Sequence, residues 1–143
     1  MLDKLWNDVE LADSTRSKWA FEIGQSVQEN QDLPLAIKWF ERAVLFSLHE
    51  LGARASLGIA KCKSIQKDWK GSNSWIISQF VQTDSRYNQM PDSIIGLAYI
   101  QMADNFVQLM NLPQAKVILQ SILANSSDDS MKVLAKKKLD EIQ

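Results

Sequence analysis

Few residues in this chain could do covalent or acid–base chemistry. It holds one histidine, His49, and one cysteine, Cys62. Thirteen residues separate them within one helical pattern, over roughly three turns, which is too far for a thiolate–imidazole pair. One His and one Cys give no metal-ligand spacing, and carboxylates alone seldom build a transition-metal site. Asp3, Asp8 and Glu10, and the pair Asp128–Asp129, come closest to an acid cluster. Acids favour the first turns of helices, so caps and solvated faces account for them. The five glycines form neither a phosphate-cradling loop nor a dinucleotide fingerprint. The expectation is a chain that is not an enzyme and holds no metal or cofactor.

Composition narrows the class further. At 143 residues the chain is one domain, long enough to bury a real core. A formal net charge of −1 argues against a general nucleic-acid or anionic-membrane surface. A single cysteine excludes an internal disulfide, which fits the cytoplasm; the alternative is a bacterial periplasm or envelope, with a signal already removed. The segment MLDKLWNDVELADS has no apolar signal core, and no apolar run approaches the roughly 18 residues of a membrane span, so no membrane insertion is expected.

The elements must therefore be read for packing. Leu2, Leu5, Trp6 and Val9 mark a short helix over 2–12. From Trp19 to Ala43 two amphipathic patterns meet at a polar break, Gln28–Asp32, followed by Pro34 at a first helical position. Ala20, Ile23, Gly24 and Val27 make one stripe, and Ala36, Ile37, Phe40, Ala43 and Val44 the other. This is a helical hairpin, spanning 14–48. A helix over His49–Ile65 follows, then a polar connection, Gln66–Asn73, and a helix over Ser74–Thr83. Asp84–Pro91 is a second break, a long helix runs to Met110, and its partner reaches 125. Asn111-Leu112-Pro113-Gln114-Ala115 mirrors Asp32-Leu33-Pro34-Leu35-Ala36. A last helix over 128–142 turns Met131, Leu134, Ala135, Leu139 and Ile142 inward and Lys136–Lys138 outward. The count is about eight helices in antiparallel pairs. Trp6, Trp19, Trp39 and Trp75 sit in apolar stripes and belong to the core; Trp69 sits in the polar connection and is a possible loop contact for a partner.

The order of small and large residues resembles the tetratricopeptide repeat (TPR) family, whose pattern runs W-x2-L-G-x2-Y, A-x3-F, then A and Pro over about 34 residues. Ile23-Gly24, Val27, Ala36, Phe40 and Ala43 fill that pattern, with Ala20 at the Trp position and Leu48 at the Pro position. Leu57-Gly58 lies 34 residues after Ile23-Gly24, with Arg54 and Lys61 at two positions the family keeps apolar. Counting back from Ala115 places Tyr99, Met102, Ala103 and Phe106 on the family's Trp, Leu, Gly and Tyr. Ala36 to Ala115 is 79 residues, two periods plus 11, so an insertion lies in an irregular middle unit, 49–84. The third unit is 91–125.

The resemblance implies an all-α, right-handed superhelix with a concave groove lined by the first helix of each pair. Carried over by position, the groove residues are Lys18, Phe21, Gln25, Gln28 and Glu29; then Gly52, Ala55, Ile59, Cys62 and Lys63; then Leu97, Ile100, Asp104, Val107 and Gln108. The family's basic clamp for a terminal carboxylate is missing from these positions. The resemblance thus implies an adaptor or scaffold that holds a peptide or partner segment by apolar anchors. The alternatives are an auxiliary or regulatory subunit of an enzyme or envelope assembly, and a self-associating homodimer.

Overall fold

A computed structural model of the chain describes Trp6 and residues 12–143. The described residues are all-α. They form seven α-helices, which we number α1 (Asp13–Glu29), α2 (Leu33–Phe46), α3 (Glu50–Ile65), α4 (Trp69–Ile76), α5 (Asp92–Gln108), α6 (Leu112–Asn125) and α7 (Asp129–Ile142). A π-helical stretch, Ile77–Val81, continues α4. The expected helix over 2–12 lies outside the described residues, apart from Trp6 itself.

One turn recurs at the end of α1, α3 and α5, and it defines the repeat. Gln31, Lys67 and Met110 take positive φ values of 65°, 65° and 62°, the left-handed conformation that stops a helix. In each case the next residue, Asp32, Asp68 or Asn111, sends its N–H back to the carbonyl of Val27, Lys63 or Phe106, at 3.2, 2.9 and 2.8 Å. The same residue then caps the next helix. Its side chain accepts the N–H of Leu35, Gly71 or Gln114, at 3.3, 3.0 and 3.3 Å. The chain therefore reverses in one way three times.

This turn corrects the sequence reading of the middle unit. Its second helix begins at Trp69, not near Ser74, and Gly71 lies inside it. The polar run that reads as a connection is a cap followed by a buried polar face. Ser72 and Asn73 are in the core, at the junction of α3, α4 and α5. There the carboxamide of Asn105 donates to Ser72 Oγ and Asn73 Oδ1, both at 2.8 Å. It accepts from Ser64 Oγ at 2.6 Å and Gln101 Nε2 at 3.2 Å. Ser72 Oγ in turn donates to the Ala60 carbonyl at 2.8 Å. Every donor and acceptor of the Asn105 amide has a partner, which is the condition for burying it.

Helices adjacent in sequence pack on each other, and so do α1 with α3, α3 with α5 and α5 with α7; no comparable contact joins α2 to α4 or α4 to α6. The odd-numbered helices thus form one continuous layer, and the even-numbered ones lie against it. Phe40 on α2, 1% exposed, shows how the layers close. A Cβ built on Gly24 of α1 would stand 2.7 Å from Phe40 Cδ1, and one on Gly58 of α3 would stand 2.8 Å from Cε2. The ring is pinched between two helices that lack side chains where it sits.

The insertion expected in the middle unit is the connector 82–91, and it folds back on the first unit. Tyr87 is fully buried and packs on Phe80, with ring centroids 5.7 Å apart. Its hydroxyl donates to the Ser47 carbonyl at 2.7 Å. Arg86 Nη2 donates to the Val44 carbonyl at 2.9 Å and the Leu45 carbonyl at 3.3 Å, placing a cation at the C-terminal end of α2. At the other end of the stack Lys138 of α7 pairs with Asp104 of α5, at 3.0 Å.

Two outcomes follow for stability. Gly24→Ala should cost about 1–2 kcal/mol despite alanine's better helix propensity, because Phe40 occupies the space. In a Phe40→Ala background, itself about 3–5 kcal/mol less stable, the same change should become neutral or favourable, as a double-mutant cycle in urea would read. Asn105→Ala should cost about 2–3 kcal/mol, because Ser72, Asn73 and Ser64 lose their buried partner; equilibrium unfolding measures it.

Candidate partner-binding face

Aligning the three capped turns sets which residues of α1, α3 and α5 are equivalent. Lys18 then matches Arg54 and Leu97, and Phe21 matches Leu57 and Ile100. Gln25 matches Lys61 and Asp104, Gln28 matches Ser64 and Val107, and Glu29 matches Ile65 and Gln108. These positions form rows across the layer of odd-numbered helices.

In the first unit, Lys18, Gln25 and Glu29 are exposed and Gln28 is half-buried. Phe21 is also half-buried, with its ring 5.9 Å from that of Phe40. In the third unit, Leu97 and Gln108 are exposed and Val107 is half-buried, but Ile100 is 6% exposed and belongs to the core. Asp104 is engaged by Lys138, at 3.0 and 3.1 Å. The middle unit departs most from expectation. Gly52, Ala55, Ile59 and Cys62 are all buried, and only Lys63, half-buried, reaches the surface.

The cause is a shift of two residues. Gly24 and Gly58 are 34 apart because both press on Phe40, one from each side. The turns are 36 apart, Asp32 to Asp68, so the residue truly equivalent to Gly24 is Ala60. With that register the outward positions of α3 are Arg54, Leu57, Lys61 and Ile65, which the sequence reading missed. The signal was present in Asp68 followed four residues later by Ser72, as Asp32 is by Ala36 and Asn111 by Ala115.

The corrected face carries apolar and basic groups side by side, with Glu29 and Asp104 as its acids. Phe21, Leu57, Ile65, Leu97 and Val107 supply apolar surface, and Ile65 is 52% exposed. Lys18, Arg54 and Lys61 supply positive charge. Arg54 also holds Glu50 one turn away at 2.8 Å, an exposed pair of small energetic weight. Trp69 is not on a loop: it opens α4 and is half-buried.

The one cysteine does not reach this face. Cys62 is fully buried, and burial pushes its thiol up to about 11, with Lys61 opposing weakly. His49 precedes α3 and lines a cleft of about 560 Å³ with Asp13, Ser17, Leu48 and Arg86. None of the residues lining that cleft belongs to the rows. Among the described residues no group of three His, Cys, Asp or Glu side chains could hold a metal ion, and no helix is long and apolar enough to cross a membrane. No protein-family model matches the chain, and no curated protein is significantly similar to it.

The Cys62 environment has a measurable consequence. A thiol whose pKa is raised on folding contributes stability that is complete below the unfolded value of 9.0 and is lost as pH rises to about 11. Tyr87, whose phenol burial raises against the opposing Arg86 guanidinium, adds in the same sense above 10.0. Urea midpoints should fall between pH 9 and 11, and Cys62→Ala should flatten the lower part of that decline. The native thiol should resist a disulfide reagent that labels it at once in denaturant.

Proposed function

We propose that the chain is a non-catalytic interaction scaffold of the tetratricopeptide-repeat type. In this reading the odd-numbered helices are the groove-lining helices of a right-handed superhelix, and the partner is a peptide or protein segment. The observation that carries it is the threefold recurrence of one capped turn, with equivalent residues stacked across α1, α3 and α5. Such a surface repeats its side-chain positions at a fixed interval, which suits an extended or helical segment with side chains at regular spacing. The segment it suits best carries apolar anchors for Phe21, Leu57, Ile65, Leu97 and Val107, and carboxylates for Lys18, Arg54 and Lys61.

The test uses Ile65→Glu with Leu97→Glu, both exposed. This variant should keep the wild-type helical signal and stay within about 0.5 kcal/mol of its stability, as surface changes do. It should lose a partner that wild type captures from lysate of the source cell, identified by mass spectrometry. Equal capture by both proteins would reject the face. Phe21→Glu with Ile100→Glu is the contrasting control: it places a carboxylate in the core at Ile100 and should lose about 3 kcal/mol or more.

A further inference from the structure

Helices α4 and α6 both lie against α5 but make no comparable contact with each other. Where α4 starts and α5 ends, the gap between them opens into a cleft of about 470 Å³, lined by Lys70, Asn73, Ser74, Phe106, Leu109 and Asn111. None of the six is acidic, and four of them carry hydrogen-bond donors.

One donor is fixed from behind. Asn73 is 6% exposed, and its Oδ1 accepts from Asn105 Nδ2 at 2.8 Å. That bond decides which way the carboxamide faces: the oxygen turns into the junction of α3, α4 and α5, and Nδ2 is left on the cleft side. Nδ2 has no partner among the described residues, and it is not among the unpartnered side-chain atoms sealed from solvent. Amides buried to this degree ordinarily have their groups bonded, so a free donor in a cleft wall suits an acceptor from outside. The Asn105 network already holds the Asn73 side chain still, and little freedom remains to be lost on binding.

Lys70 and Asn111 add to it. Asn111 Oδ1 accepts the Gln114 N–H, which leaves its Nδ2 as a donor. At the other two recurrent turns the same capping place is held by Asp32 and Asp68, so this turn presents an amide where those present a carboxylate. Lys70 stands where the first and third units have Pro34 and Pro113. The nearest acid in sequence, Asp68, is engaged by the Gly71 N–H at 3.0 Å. These departures from the repeat converge on one cleft, and each favours an anion. Beside the donors lie Phe106 and Leu109, both half-buried. Tyr99 and Met102 continue their stripe along α5 at spacings of three and four, and with Val81 and Val117 they line an apolar groove of about 190 Å³ further along the same gap.

We propose that this cleft binds a carboxylate carried on an apolar group. Its oxygens accept from Lys70 Nζ, Asn73 Nδ2 and Asn111 Nδ2, one cation and two neutral amides that match a monoanion. Its apolar part lies on Phe106 and Leu109 and extends toward Tyr99 and Met102. No residue of the cleft belongs to the rows, so the inference does not depend on the repeat-face reading.

The ¹⁵N-labelled full-length chain is titrated with octanoate, reading the side-chain amide signals of Asn73 and Asn111 and the backbone signals of 70–74. All should shift together and saturate. Octanamide, with the same tail and no charge, should bind at least about tenfold more weakly, and so should acetate, which lacks the tail. Lys70→Gln and Asn111→Asp should each weaken octanoate at least about fivefold. Their urea midpoints should match wild type, because Lys70 is exposed and aspartate caps a helix as well as asparagine does. Tighter binding of the peptide Gly-Ser-Gly-Leu than of octanoate, lost in its C-terminal amide, would support the anion site and make the occupant the end of a polypeptide. Octanamide binding as tightly as octanoate, unchanged affinity in both variants, or no shift of the Asn73 amide at about 20 mM octanoate would overturn the proposal.

Discussion

The structure depends on one aromatic ring held between two bare stretches of helix. Phe40 projects from α2 into a slot whose walls are Gly24 and Gly58, and both walls stand closer than any side chain would permit. Interhelical distance follows from the residues at the contact, so the absence of two Cβ atoms sets how closely α1 and α3 approach α2. The ring then ties the first helix of one unit to the first helix of the next. That is what makes the odd-numbered helices a layer rather than a set of separate hairpins, and a shared layer is the precondition for rows of outward residues to exist at all.

The second and third units are joined by different chemistry. There the Asn105 carboxamide takes the place of an aromatic wedge, with all its hydrogen-bonding capacity used by Ser72, Asn73, Ser64 and Gln101. A ring fills volume and tolerates small rotations. An amide with four directional partners fixes position and orientation together. The two joints of the stack are thus unlike in kind, one set by contact distance and the other by bond direction.

This difference also explains what could be read from sequence. The first hairpin was legible because its core is apolar: Ala36, Phe40 and Ala43 announce a buried stripe, and Pro34 marks where it starts. The last hairpin was legible through its near copy of that start, Leu112-Pro113. The middle unit hides its core behind Ser72 and Asn73, so a periodicity built on apolar residues reads a buried helix as a connection. The two glycines compounded the error, since 34 residues between them measure two walls of one slot and not one repeat. Lys18, Phe21, Leu97 and Gln108 read as surface positions because their turns were recognised, and they are exposed or half-buried on the odd-numbered layer. The corresponding surface positions of α3, Arg54, Leu57, Lys61 and Ile65, were passed over because their turn was not.

The connector between α4 and α5 alters how this molecule should come apart. In an ideal solenoid each unit touches only its neighbours, so unfolding can start at either end and travel inward like a zip. Here Arg86 and Tyr87 grip the carbonyls of Val44, Leu45 and Ser47, some 40 residues earlier in the chain. The clasp stitches the end of α2 to a segment two helices further on, so the first unit cannot fray without dragging the connector out of the core. Such a clasp raises the share of distant contacts, the topological quantity that slows folding, and it strengthens the coupling between the first unit and its neighbour. The extra length in the middle unit, which looks like an interruption of the repeat, is a second seam that fastens that unit to the first.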